Sequence, residues 1–172
     1  FGRDWSQQGG RSFPTPAGQS ERIGLVLEGR DGRAQFRATL GGDLRVQVRF
    51  RSHMLGRRGR LAITLDCAAG LRVANELGEL RVFRERRLLA RQGESIEAKV
   101  RSGAFQTLEL VRLGQTLISK FNGREIGRLE FEEDLGPIRL GLEWSRVAVN
   151  LISVNTRCSP DPTWVAAQLS GS

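Results

Sequence analysis

The stretch QTLISKFNGREIGRLEFEEDLGPIRLGLEWSRVAVNLISV, residues 115–154, decides the fold. It reads as strand, turn, strand, acidic loop, strand, short turn, strand. Asn122-Gly123 separates two extended runs, and an Asn-Gly pair accepts the positive φ angles of a two-residue type I′ hairpin turn. A two-residue loop there pairs Phe121 with Arg124 and Lys120 with Glu125, which sets opposite charges across the strands. Further on, Ile138, Leu140 and Leu142 alternate with Arg139, Gly141 and Glu143. The run Val147–Val154 is apolar on both faces, as expected of a central, covered strand.

The same pattern extends upstream. Expected strands are Ile23–Leu27, Ala34–Leu40, Leu44–Ser52, Leu61–Cys67, Leu71–Ala74, Leu80–Leu89, Ser95–Val100 and Phe105–Leu113. Thr116–Phe121, Arg124–Phe131, Ile138–Trp144 and Val147–Val154 complete the set. In Leu44–Ser52, the residues Leu44, Val46, Val48 and Phe50 face a core, while Arg45, Gln47, Arg49 and Arg51 face outward. No segment carries a sustained helical period. About a dozen short strands at this spacing, broken by glycines, indicate an all-β antiparallel sandwich or barrel, of which the two-sheet sandwich is the expected form. The expected organisation is an extended segment over 1–20, a sandwich domain over 21–157 and a tail over 158–172.

The order of elements resembles the concanavalin A-like jelly-roll superfamily, with laminin-G-like domains and the keto-disaccharide hydrolase-type sandwich as the nearest types. The residues that carry the resemblance are Asn122, Gly123, Gly136, Pro137, Ile138, Leu140 and Leu142, then Val149, Asn150, Ile152 and Val154. Each has a structural job in a turn or a core, so the resemblance implies a fold and leaves the activity open. It implies a setting among lectins, glycosidases, adhesion modules and structural domains.

The chain has 172 residues, enough for one domain with a sizeable core, and 21 glycines suit a turn-rich protein. No apolar run approaches the roughly 20 residues of a membrane-spanning helix. The chain starts at Phe1 rather than Met, which fits a removed leader or anchor as well as an arbitrary starting point; the expected setting is exported or membrane-peripheral. The net charge is +8, and the 27 basic residues are all Arg except Lys99 and Lys120. Arg favours planar, bidentate contacts with carboxylates and phosphates. A GC-rich coding sequence would account for the ratio of Arg to Lys but not for the positive excess.

Three basic groups are candidates for partner binding: Arg45, Arg49 and Arg51; Arg57, Arg58 and Arg60; and Arg84, Arg86 and Arg87. They form one stripe if their strands are neighbours. Glu85 and Glu109 are their candidate cross-strand partners, which would make the face an ordinary solvated one. Only Phe83 is interleaved with these arginines, which argues against nucleic-acid stacking. Trp5 and Trp164 are candidate anchors in the terminal segments.

Catalytic signals are weak. The acidic run Glu130, Glu132, Glu133 and Asp134 reads as a solvated loop, and the ExDxxE pattern of catalytic sandwich enzymes is absent. His53 is the only histidine, and no nucleophile or orienting acid is marked beside it. Calcium, which the laminin-G-like resemblance suggests, would need Asp31, Asp43, Asp66 and Asp134 to converge from loops. Cys67 and Cys158 pair in an oxidising compartment, worth about 2–4 kcal/mol, or stand as separate buried thiols in the cytoplasm. No Cys/His cluster suits zinc.

The expected function is a non-catalytic interaction module, an accessory subunit that docks through its arginines and terminal arms on a larger, membrane-bound assembly. The alternative is a carbohydrate-binding module or a degenerate glycoside-active domain. With no Tyr and three Trp in the chain, Trp144 is the best candidate for a sugar platform and equally a candidate core residue.

Overall fold

The computed structural model describes residues 5–16, 23–77, 79–93 and 103–170. Its strands are β1 Trp5–Pro16, β2 Ile23–Asp66, β3 Leu71–Glu76, β4 Glu79–Arg84, β5 Arg87–Gln92, β6 Phe105–Leu113, β7 Thr116–Phe121, β8 Arg124–Glu130 and β9 Ile138–Pro160. A 3-10 turn, Ala68–Gly70, joins β2 to β3, and a helix, α1 Pro162–Ser170, closes the chain. The expected strand Ser95–Val100 lies outside the described residues.

Every strand pairing is antiparallel. Three strands are long and bend, so each contributes to two layers. In layer I the order is β5, β4, β3, residues 61–66 of β2, residues 138–144 of β9, residues 32–40 of β2, and the first half of β1. In layer II it is β8, β7, β6, residues 44–52 of β2, residues 147–158 of β9, residues 25–29 of β2, and the second half of β1. This is a two-sheet sandwich, one of the two forms that the strand spacing indicates, with the jelly roll that the resemblance implies.

The core lies between the layers. Leu61, Ile63, Leu65, Val73, Leu140, Leu142 and Trp144 fill it from layer I. Leu44, Val46, Val48, Phe50, Leu108, Leu110, Leu117 and Val149 fill it from layer II. The four residues assigned inward on 44–52 are all buried, and Arg45, Arg49 and Arg51 are all exposed. The hairpin register also follows the sequence: Lys120 faces Glu125 and Phe121 faces Arg124. Asn122 and Gly123 take φ of 48° and 84°, the pair of positive values a type I′ turn needs.

Three expectations are corrected. The segment before residue 20 is not a mere lead-in, because Trp5–Pro16 pairs with β2 along the edge of both layers. Gly9 and Gly10, at φ 61° and 58°, form the bulge that passes β1 from one layer to the other. The expected strand Leu80–Leu89 is a hairpin, with Glu85 and Arg86 at its turn at φ 49° and 75°. The tail carries a helix, which begins at Pro162, a residue pre-set for a first helical turn. Leu169 on it is 74% exposed.

Candidate functional site: the outer face of layer I

On layer I the inward residues alternate with an outward set. On residues 61–66 of β2 these are Ala62, Thr64 and Asp66; on β3 they are Arg72, Ala74 and Glu76; on β9 they are Arg139, Gly141 and Glu143. The small residues form a floor. Ala62, Thr64 and Ala74 are fully buried although they face away from the core, because long charged side chains lie over them. Gly141 is required in this floor: a Cβ there would stand 2.4 Å from Thr64 Oγ1. Thr64 Oγ1 itself is buried without a hydrogen-bond partner.

The charged side chains make one connected network. Arg33 pairs with Asp66 through Nη2, and its Nε lies 3.7 Å from Glu143. Arg72 bridges the same two carboxylates, contacting Glu143 through Nη2 and standing 3.8 Å from Asp66. Arg60 forms an ion pair with Glu76, its Nε 2.9 Å from the carboxylate, and its Nη2 stands 3.7 Å from Glu143. Arg81 links Glu76 at 3.1 Å to Glu79 at 2.5 Å, and Arg91 reaches Glu79 at 3.0 Å. Gln35 adds a hydrogen bond to Asp66 at 3.0 Å. The guanidiniums are partly open to solvent while Glu79 is buried, and in such a lattice each group holds its neighbours in place.

Two clefts open on this face. One, of ≈ 450 Å³, is bordered by Asp66, Arg72, Arg60, Phe83, Glu85 and Arg86. The other, of ≈ 350 Å³, lies over Arg33, Glu143, Asp31 and Ser145. Arg60 borders both. Clefts of this size suit a small ligand or a short stretch of polymer. Fixed carboxylate acceptors and planar guanidinium donors, with a half-buried Phe83 at the rim, match a ligand rich in hydroxyl groups.

The sequence-derived candidates scatter. Arg60 belongs to the network just described. Arg84, Arg86 and Arg87 are exposed at the β4–β5 turn of layer I. Arg45, Arg49 and Arg51 lie on the outer face of layer II, so the three basic groups form no single stripe. The pairing order explains this: residues 44–52 neighbour β6 and β9, and never β4. Glu109 does partner Arg45, at 2.8 Å. Arg57 and Arg58 fall on β2, but their side chains, like those of His53 and Trp164, lie outside the described residues. Trp5 packs on Phe36 with ring centroids 5.4 Å apart.

Trp144 is no open platform. It is 1% exposed, and its Nε1 donates to the Glu28 carbonyl at 3.2 Å. Gly32 makes room for it, since a Cβ there would stand 2.1 Å from the indole Cε2. The core reading of Trp144 therefore holds.

The proposed calcium ligands do not converge: Asp66 pairs with Arg33, Asp134 with Arg112 at 2.9 Å, and Asp43 accepts the Gly114 amide at 2.8 Å. Among the described residues no group of three His, Cys, Asp or Glu side chains could share a metal ion. In the acidic loop, Asp134 balances the buried Arg112. Cys67 and Cys158 are both free thiols, so of the two alternatives the disulfide is not formed. Cys67 ends a layer I segment, whereas Cys158 lies in layer II opposite Leu44. Burial pushes the Cys67 thiol up from the ordinary 9.0 to about 11, and raises Cys158 also.

The residues missed in the sequence are Arg33, Arg72, Glu76, Glu79, Arg81 and Glu143. Their signal was present as outward rows, such as Arg72-x-x-x-Glu76 and Arg139-x-x-x-Glu143, but these became a site only through strand order.

No family model matches the chain, and no curated protein matches it in sequence. Solved structures match over most of its length. The carbohydrate-binding module CBM66 from Bacillus subtilis superposes with a TM-score of 0.65 at 12% identity, covering 90% of this chain and 95% of that one. The carbohydrate recognition domain of Emp46p in its metal-free form gives 0.61 at 13% identity, covering 91% and 88%. A Bacteroides ovatus GH16 protein from a mixed-linkage glucan locus gives 0.67 at 9% identity, covering 91% and 96%. The fold is thus the concanavalin A-like jelly-roll sandwich, as the sequence resemblance implies.

Proposed function

We propose that the protein is a non-catalytic carbohydrate-binding module whose ligand lies on the outer face of layer I. The observation that carries this reading is the Arg–carboxylate network over a floor of small residues, centred on Asp66, Arg72 and Glu143. Sugar hydroxyls both donate and accept, so preset carboxylates and guanidiniums can address neighbouring hydroxyls at little cost in reorganisation. Phe83 gives the cleft one apolar surface for the carbon face of a ring. The carbohydrate-binding modules and lectin domains among the structural neighbours support the same reading. It displaces the docking-subunit reading as the first choice, since the described arginines are shared between two faces. An exported or cell-envelope setting goes with it.

The module is assigned no hydrolysis because each carboxylate of the network, Asp66, Glu76, Glu79 and Glu143, is engaged by at least one guanidinium. Hydrolysis needs one carboxyl free to give a proton and another to attack or activate water. The test is a neutral-glycan array followed by calorimetry. Arg72→Ala and Phe83→Ala are expected to weaken binding at least 10-fold while leaving the melting temperature within a few degrees. Absence of binding to any glycan on the array would reject the reading.

A further inference from the structure

The positive excess of the chain is not spread evenly. On layer I, five arginines share four carboxylates within the network. On β6, β7 and residues 44–52 and 147–158 of layer II, the outward charges are Arg45, Arg49, Arg51, Lys120 and Arg157 against Glu109 alone, with Glu28 further along the sheet on residues 25–29. Glu109 is buried beneath Arg45 at 2.8 Å, Gln47 at 3.3 Å and Lys120 at 3.9 Å. Among the described residues no carboxylate stands within ion-pair distance of Arg49, Arg51 or Arg157. All three are exposed.

Their arrangement is regular. Arg45, Arg49 and Arg51 follow one strand, so their stations lie about 13 Å and 7 Å apart. Arg157 stands directly across from Arg45 on β9. The Phe105 ring, 52% exposed, lies against two guanidiniums, Arg49 at 5.0 Å and Arg51 at 5.7 Å from its centroid. Stacking on a ring fixes the plane of a guanidinium and leaves its N–H edge free to donate. Beside this row a cleft of ≈ 460 Å³ is lined by Arg45, Gln47, Asn155, Thr156 and Arg157. It therefore combines fixed cations with neutral amide and hydroxyl groups.

We infer that the outer face of layer II is a second binding site, and that its ligand is an anionic polysaccharide bearing carboxylate or sulfate groups. Cations spaced along one strand match charges repeated along a polymer, and the Gln47, Asn155 and Thr156 groups match the hydroxyls between them. Three other polyanions fit less well. An acidic peptide gains most by adding a strand to a sheet edge, but these arginines lie on central strands whose backbone groups are already paired. A nucleic acid wants open aromatic faces, and the one aromatic here already stacks on two arginines. An anionic bilayer presents a flat surface that would leave the cleft unused. The site is on the opposite side of the sandwich from the proposed sugar face of layer I and does not rest on that reading.

The test uses the whole chain and five probes: polygalacturonate, dextran sulfate, neutral dextran, polyglutamate, and vesicles containing phosphatidylglycerol. At low ionic strength the chain is expected to hold polygalacturonate or dextran sulfate at least 10-fold more tightly than polyglutamate or the vesicles. Affinity should fall steeply with added salt as counterions compete. The stronger of the two polysaccharides identifies carboxylate or sulfate as the recognised group. The double variant Arg49→Gln with Arg51→Gln, and separately Arg157→Gln, should each weaken that binding about 10-fold without moving the melting temperature. Arg49→Lys with Arg51→Lys should retain charge yet recover only part of the affinity, because the stacked planar group is lost. Neutral-glycan binding, and its sensitivity to Arg72→Ala, should be unchanged in all of these. The inference is overturned if polyglutamate or vesicles bind as tightly as the polysaccharides, or if the Gln variants bind the polysaccharides undiminished. A chain that binds polyanions but no neutral glycan would reject the layer I reading and leave this one standing.

Discussion

Two glycines are dictated by what lies against them. Gly32 accommodates the Trp144 indole, and Gly141 accommodates Thr64. Gly32→Ala forces backbone into a buried ring and should cost at least about 2 kcal/mol, read as a lowered denaturation midpoint. Cys67 gives a prediction in pH. Its folded pKa, about 11, lies above the ordinary 9.0 because burial disfavours the thiolate. The stability that this shift contributes is complete below pH 9 and is lost as pH rises toward 11. Denaturation curves should therefore show the native chain losing stability relative to Cys67→Ala across that window. Slow alkylation of Cys67 at pH 8 should accompany it. Rapid labelling there would contradict the buried environment.

The hairpins separate what is legible from what is not. Asn122-Gly123 announces its turn, because few other residue pairs tolerate two positive φ values. The turn at Glu85-Arg86 has the same backbone sign but no such marker, so FRERRLL reads as one continuous strand. Its residues bear the strain of a left-handed conformation, about 1 kcal/mol for Arg86. Replacing Glu85-Arg86 by Asn-Gly should raise stability by about 1 kcal/mol, whereas Gly123→Ala should lower it by a similar amount. Thermal unfolding of the two variants checks both. Strand existence and facing were readable because a period of two leaves its mark within five or six residues. The long β2 and β9 read as separate strands because the glycines that punctuate β2, at Gly29 and Gly42, mark bends there rather than ends.

At the scale of the whole molecule, the two layers carry different electrostatics on their outer faces. Layer I has a nearly balanced lattice of ion pairs, and layer II an excess of free cations. None of this was visible along the chain. Arg33, Asp66, Arg72 and Glu143 come from separate strand segments spread over more than 100 residues, and only the order 32–40, 138–144, 61–66, β3 brings them together. The same order divides arginines that look like one group. Trp144, the aromatic that stood out, faces the core because it continues the inward row of Ile138, Leu140 and Leu142. The most direct test of the carbohydrate-binding account is an NMR titration of the labelled chain with the best neutral ligand from a glycan array. The account predicts shift changes confined to the layer I face, at residues 60–66, 72–76 and 81–86 and at Glu143. Changes centred on layer II, or no saturable change at all, would contradict it.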